Sequence, residues 1–275
     1  MNNNIDELMH DYYKNYYKSD LGLSDWEERL TVRLNEETKF SLKYINMIEE
    51  LFCYDFSGKK VLIVGCGTGG ELVSFHKKGA DAHGIEPNIE AIKICYVKAK
   101  KNNIPNENIR NAYAENLPYD DNFFDFIYCV TVLEHVADIK KSINEMVRCT
   151  KVNGKIFLEM PNHTQLYEAH YKLPLPMFLP KWFNKVILKI LRRPTDCYDD
   201  INRVNAKMFL RIFNKYQYLS AMRIFNDNSY MLSPKKRFSV VYIIQIIQFL
   251  IYKVFLTSAN QMWILHKTNL TKDSK

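Results

Sequence analysis

None of the six cysteines (Cys53, Cys66, Cys95, Cys129, Cys149 and Cys197) stands in a C-x-x-C pair, so the spacing offers no dithiol or zinc-knuckle motif. Three sit in or beside apolar strand-like runs, which predicts buried free thiols in a reducing compartment. The opening residues, MNNNIDELMH, lack a basic stretch followed by an apolar run. No secretory signal is therefore expected, and a cytoplasmic location is. Internal repeats and low-complexity segments are absent. Acidic residues are scarce in one region only: beyond position 164 there are 18 Lys and Arg against 6 Asp and Glu, whereas residues 1–164 hold 20 against 25. The net charge of +7 is thus the sum of an acidic front and a strongly basic end. Basic surface attracts phosphate on a membrane, a nucleic acid or a substrate. With 47% hydrophobic residues, the chain has enough apolar material for a full core.

Residues 4–52 show apolar positions three and four apart and read as helical. Strand and helix then alternate. Strands are expected at 60–64, 83–88, 109–113, 123–130 and 155–160, with helices at 69–78, 88–101 and 138–150. That alternation implies a parallel sheet with helices on both faces. From 163 to 182 three prolines and four aromatics suit an ordered loop or lid. A basic helix at 181–193, a helix at 205–217, a strand near 219–225, a very apolar segment at 239–256 and a closing strand at 262–267 follow.

Glycine is concentrated where the first strand ends. VLIVGCGTGGEL (61–72) places Gly65, Gly67, Gly69 and Gly70 within six residues. Main-chain N–H groups of such a turn at a helix N-terminus suit an anionic or polar group. The spacing fits a dinucleotide site and an S-adenosylmethionine (SAM) site equally. Glu86, which closes the second strand, can accept both hydroxyls of a ribose, and both cofactors carry one. Tyr96 and Lys100 have the Tyr-x-x-x-Lys spacing of one dehydrogenase class. They fall on the second helix of the alternating region, away from the strand ends where ligands sit, and read as a helix face.

The later motifs discriminate. AENLPYDDNFFDFIYCVTVLEHV (114–136) and MVRCTKVNGKIFLEMPN (146–162) complete a pattern that resembles the class I SAM-dependent methyltransferases. The resemblance is to the group that includes quinone-biosynthesis and many bacterial small-molecule methyltransferases, and it covers roughly residues 30–180 and the last strand. It implies a Rossmann-like α/β fold with a seven-stranded sheet of order 3-2-1-4-5-7-6, strand seven antiparallel. In that frame residues 1–55 would cover the cofactor site. Residues 56–275 would form the methyltransferase domain, with a lid insertion at 163–204 and an apolar helical insertion at 226–258.

The resemblance also implies roles. Gly65, Cys66, Gly67, Thr68 and Gly69 would pass the methionine part of SAM, and Glu86 would hold the ribose with Pro87 and Asn88 beside the adenine. Ala114, Glu115 and Asn116 would border the adenine edge, Cys129, Val130 and Thr131 would line the methionine side, and Arg33 would approach the carboxylate. Three positions depart from the group's pattern: Ile63 and Tyr113 stand where acids are usual, and Thr131 stands where some quinone-pathway relatives carry a metal-binding carboxylate. No metal is therefore expected at Glu134 and His135.

A hydroxyl or ammonium acceptor must lose a proton, and histidine is suited to take it near neutral pH. His135, after strand four, and His170, in YEAHYKLP, are the candidates. Tyr167, Glu168 and Tyr171 surround His170 as candidate acceptor contacts. The helix at 181–193 places Trp182, Phe183, Val186, Ile187, Ile190 and Leu191 on one face, with Lys181, Lys185, Lys189, Arg192 and Arg193 around the rest. Together with segment 239–256 it would suit packing on the sheet, a homodimer interface or an anionic membrane. A small-molecule, glycan, lipid-linked or phosphate-bearing acceptor fits these features. Nucleic acid does not, because the basic residues interleave with a broad apolar stripe. A non-catalytic SAM-binding scaffold and an NAD(P)-dependent oxidoreductase remain the alternatives.

Overall fold

The computed structural model describes residues 5–164, 168, 170, 171, 173, 175–224 and 260–269. Tyr167 and the apolar segment 239–256 lie outside the described residues, as does the whole of the expected insertion at 226–258. The strands are β1 (Lys60–Val64), β2 (Asp81–Ile85), β3 (Ile109–Arg110), β4 (Phe124–Val130), β5 (Thr150–Pro161), β6 (Leu219–Ile224) and β7 (Asn260–Lys267). They form one sheet of order β3-β2-β1-β4-β5-β7-β6. β1 to β5 pair in parallel, and β7 runs antiparallel between β5 and β6.

Both faces of this sheet are covered, and the strand residues show why. Leu62, Val64, Ile127 and Cys129 join one apolar cluster. Their neighbours Val61, Ile63, Phe126 and Tyr128 join another on the opposite face. Side chains alternate along a strand, so a run that is apolar at every position must be buried on both sides. Around the sheet stand α1 (Ile5–Lys14), α2 (Trp26–Phe52), α3 (Gly70–Lys77), α4 (Ile89–Lys101), α5 (Ile139–Cys149), α6 (Lys181–Ile190), α7 (Asp196–Asp199) and α8 (Ala206–Phe213).

Several expectations are corrected. The N-terminal helical region is two helices, separated by a π-turn at Asn15–Asp20 and a non-helical stretch before Trp26. β5 begins at Thr150, five residues ahead of the expected strand, and Asn153 lies inside it with a left-handed φ of 66°, at an irregularity in the pairing with β4. β3 is shorter than expected, because only Gly84 and Ile85 of β2 pair with it. Four cysteines are buried as expected, but Cys53 is exposed and Cys197 half-buried; all six are free. α6 ends at Ile190 and turns its apolar stripe outward: the side chains it buries are Asn184 and Leu188. Among the described residues no helix is long and apolar enough to cross a membrane.

The N-terminal helices lie against the cofactor-side end of the sheet. Met9 and Tyr13 of α1 pack with Leu30 of α2 and Ile94 of α4. The Lys98–Glu37 ion pair ties α4 to α2 beneath them.

Candidate active site

β1 stops at Val64 and the chain turns through Gly65 (φ 70°) and Gly67 (φ 51°) into α3. L-residues with a side chain avoid that left-handed region. At Gly65 a Cβ would also stand 2.4 Å from a methyl of Val132. At Gly67 a Cβ would meet nothing within 4 Å, so the loop faces open space there. That space is a cavity of about 620 Å³ over the carboxyl ends of β1, β2 and β4, lined by Gly65, Cys66, Gly67, Thr68, Glu86, Pro87, Asn88, Val130 and Thr131 among others. Ligands of open α/β sheets bind at such strand ends.

Glu86 follows β2 and is only 9% exposed. Burial raises its pKa, while hydrogen bonds from the N–H groups of Asn88 (2.8 Å) and Gly67 (2.9 Å) pull it back. A carboxylate offers roughly four acceptor positions, so about two remain for ligand hydroxyls. Asn88 caps α4, its Oδ1 accepting from the N–H groups of Glu90 and Ala91 at 2.9 Å. Thr131 closes the site with a left-handed φ of 52°, held by its N–H bond to the Glu159 carbonyl at 2.9 Å.

Arg33 of α2 lines the same cavity. Its guanidinium lies 5.1 Å from the Tyr13 ring and 5.8 Å from the Phe40 ring, and its Nε is buried with no hydrogen-bonding partner. Tyr13 in turn shares a hydrogen bond of 3.1 Å with the Thr68 hydroxyl, joining α1 to the glycine turn. Glu71 of α3 brings a second carboxylate to the cavity, which lacks one at Ile63.

Five expected cofactor residues do not line this space. Gly69 lies beneath the turn, where a Cβ would meet Cys95 Sγ at 2.9 Å. Ala114 and Cys129 are buried in the core. Glu115 braces the loop after β4, its Oε1 accepting from the N–H groups of Ala137 (2.6 Å) and Asp138 (3.2 Å). Asn116 closes a turn on the Tyr113 carbonyl at 3.1 Å. Tyr96 donates to the Ile109 carbonyl at 3.1 Å, outside the lining of this cavity.

A second cavity, of about 680 Å³, adjoins the first. Tyr12, Tyr16, Asn88 and His135 line both, so these residues form the boundary between them. His170 lines the second cavity, and its Nε2 is 3.2 Å from His135 Nε2. The other His170 nitrogen, Nδ1, is 2.6 Å from Glu168 Oε1, and Glu168 Oε2 accepts the Tyr171 N–H at 2.7 Å. Burial alone would raise the Glu168 pKa, but these bonds and the His170 ring hold it below the usual carboxylate value. Burial and the neighbouring His170 push His135 down to about 4, so it is neutral at pH 7.

The hydrogen-bond network assigns the tautomers. The Glu168 carboxylate accepts from His170 Nδ1–H, which leaves His170 Nε2 as an acceptor for His135 Nε2–H. Beneath this pair lies Glu134, fully buried, its carboxylate oxygens without a side-chain hydrogen bond among the described residues and Oε1 4.0 Å from His135 Nε2. Burial raises its pKa to about 8. Donor atoms of Glu134, His135 and His170 all lie within 4.8 Å of one another. His170 therefore comes close in space to the pair for which Thr131 offers no carboxylate.

The lid residues divide. Glu168 is fully buried and holds His170 instead of lining the second cavity. Tyr171, expected as an acceptor contact, is corrected: it is fully buried in a cluster with Leu175, Met177, Leu188, Tyr198 and Ile201. The residues missed from sequence are chiefly Tyr12 and Tyr16. Their signal was the run DYYKNYY, which repeats a tyrosine pair at the four-residue spacing of a helix face.

Residues 62–158 match the family described as methyltransferase domain. Two curated relatives are similar over little more than a third of the chain. The uncharacterized methyltransferase YcgJ of Bacillus subtilis is 27% identical over 99 residues, 36% of this chain and 39% of that protein. A ubiquinone biosynthesis O-methyltransferase of Salmonella paratyphi A is 29% identical over 105 residues, 38% of this chain and 43% of that protein. The match spans less than half the length of either relative. Among solved structures, geranyl diphosphate C-methyltransferase from Streptomyces coelicolor superposes with a TM-score of 0.56 at 16% identity, covering 97% of this chain and 99% of that one. The [4+2]-cyclase SpnF superposes with a TM-score of 0.53 at 16% identity, over 84% and 80%. The chain therefore carries a methyltransferase domain and has the Rossmann-like fold of SAM-dependent methyltransferases. The cyclase shows that this fold alone does not name a reaction.

Proposed function

We propose that the protein is a SAM-dependent methyltransferase that methylates a hydroxyl on a small acceptor held in the second cavity. The observation that carries this reading is the Glu168–His170–His135 chain standing where the two cavities meet. Such a chain offers a path for a proton that leaves a bound hydroxyl.

The first cavity fits SAM in kind. Glu86 would hold the ribose hydroxyls, Gly65 and Gly67 would lie along the methionine part, and the unpartnered Arg33 Nε would face the carboxylate. Glu71 would take the amino group in place of the acid absent at Ile63. SAM supplies a methyl group on a sulfonium, a leaving group that needs no further activation, so the protein mainly aligns the reactants. His135 would receive the acceptor hydroxyl proton at Nδ1 and pass its Nε2 proton to His170 Nε2. The Glu168 carboxylate would then balance the His170 imidazolium.

The second cavity supports a neutral or cationic acceptor over the phosphate-bearing one that charge alone suggested. Asp11, Asp20, Glu90 and Asp200 line it against a single Lys93. Its volume of about 680 Å³ is that of a small-molecule site. The test is S-adenosylhomocysteine formation across a panel of phenols and alcohols, each with and without a phosphate group. The reading expects turnover on unphosphorylated hydroxyl compounds. Turnover on thiols or carbon nucleophiles alone would refute it.

A further inference from the structure

α6 is amphipathic in the reverse sense to most surface helices. Its inward side is Asn184 and Leu188, with Ile187 half-buried. Asn184 donates to the Tyr198 hydroxyl (2.8 Å) and the Pro176 carbonyl (3.1 Å), which fixes the helix on the lid. Trp182 (66% exposed), Val186 (47%) and Ile190 (73%) repeat every four residues and form an outward stripe. Phe178 in the preceding turn is 60% exposed, and Leu191 just past the helix is 48% exposed. Between Phe178 and Thr195 there are five cations and no acidic residue.

Lys185 pairs with Asp199 (2.6 Å) and Lys181 bonds to the Asp199 carbonyl (2.8 Å). Lys189 and Arg192 are exposed and make no ion pair among the described residues. These cations stand on the helix, whereas the acceptor cavity is lined by carboxylates. The basic charge of this region therefore does not serve the acceptor site.

We infer that the outer face of α6 docks on an anionic lipid bilayer. The stripe presents Trp and Phe, whose rings suit the headgroup boundary, and aliphatic side chains that can enter the acyl region. Lysine stems can lie along that stripe with their charges at the headgroups. A second copy of the chain is a poorer occupant, because a two-fold contact would set like charges of the two helices against each other. The docked helix would stand one layer from the acceptor cavity: Leu188 packs with Ile201, and Ile201 lines that cavity. This inference does not rest on methyl transfer.

The experiment uses the full chain and vesicles of phosphatidylcholine with or without an equal part of phosphatidylglycerol, read by co-sedimentation. Binding to the anionic vesicles is expected at roughly 20 mM salt and should persist, weakened, at about 0.5 M, where charges are screened within a few ångströms. Neutral vesicles should bind poorly. Trp182→Ser with Ile190→Ser should cut partitioning roughly 10-fold or more at both salts. Lys189→Glu with Arg192→Glu should cut it about as much at low salt only. All four positions are exposed, so both variants keep the fold, which circular dichroism checks.

Three outcomes overturn the inference. The first is failure of the intact protein to bind anionic vesicles at low salt. The second is binding of both variants as wild type, which would assign any lipid contact to another part of the chain. The third is a dimer that Trp182→Ser with Ile190→Ser converts to monomer, which would make the face an interface between copies.

Discussion

The first cavity takes its floor from main chain: two left-handed glycines, the ends of three parallel strands, and N–H groups that orient Glu86. The second takes its walls from side chains that arrive from distant parts of the sequence: Tyr12 and Tyr16 from the N-terminal helices, His135 from the loop after β4, His170 from the lid and Asp200 from beyond α7. A site made of backbone is set by the fold and can be shared by every protein with that fold. A site made of side chains can be rebuilt one residue at a time. This division suits a common cofactor and a variable acceptor, and substitutions in the two cavities should separate cleanly.

The largest separation is expected at the relay. His135→Ala or His170→Ala should lower turnover by about 10²–10⁴-fold, with SAM affinity by calorimetry unchanged. Glu168→Gln should lower it less, because His170 keeps a hydrogen bond but loses the counter-charge to its imidazolium. Equal turnover in all three variants and wild type would leave alignment as the whole mechanism.

Glu86→Ala should do the opposite. Losing two charge-assisted hydrogen bonds should weaken SAM binding by ~2–3 kcal/mol, or roughly 30–150-fold. Turnover at saturating SAM should stay within a few-fold of wild type. A variant that binds SAM normally would remove Glu86 from the site.

A smaller effect is expected on stability. The folded state raises the Glu134 pKa from 4.5 to about 8. Between those values the folded protein binds more protons than the unfolded chain, so this group's contribution to stability falls as pH rises through that window. Glu134→Gln should therefore be relatively more stable than wild type at pH ~9 than at pH ~5, by a few kcal/mol at most. His163, pushed down to about 4 by burial, acts in the other direction and costs stability as pH falls below ~6.5. Thermal unfolding of both proteins across this range measures the difference, and parallel curves would mean that Glu134 ionises freely.

The smallest effect is expected from chelation. A proton relay predicts that EDTA leaves turnover unchanged. Loss of activity restored by one divalent cation would turn Glu134, His135 and His170 into a metal centre instead.

The sequence made the backbone-built cavity readable because its signals are local. A glycine cluster after an apolar run, and an acid at the next strand's end, fix the turn and Glu86 without knowledge of distant contacts. It was less informative where a motif residue's role depends on its neighbours: Glu115 sits in a recognisable turn yet serves the loop after β4, and Cys129 ends a strand with its side chain in the core. The two histidines were both readable as candidates, but their contact spans 35 residues and needs the lid to fold back. Tyr171 shows the same limit, since a tyrosine beside a site and a tyrosine beneath it look alike in sequence. For α6 the apolar stripe was visible and its direction was not. Asn184 decides that direction, because a polar side chain satisfied by Tyr198 and Pro176 can face inward.

The central claim is that the glycine-turn cavity holds SAM, and native mass spectrometry of the purified full chain tests it most directly. The account predicts a protein–ligand species with the added mass of SAM or S-adenosylhomocysteine, present in wild type and in His170→Ala and depleted in Glu86→Ala. A species carrying the mass of a nicotinamide dinucleotide, or a protein that stays ligand-free when SAM is supplied, would contradict it.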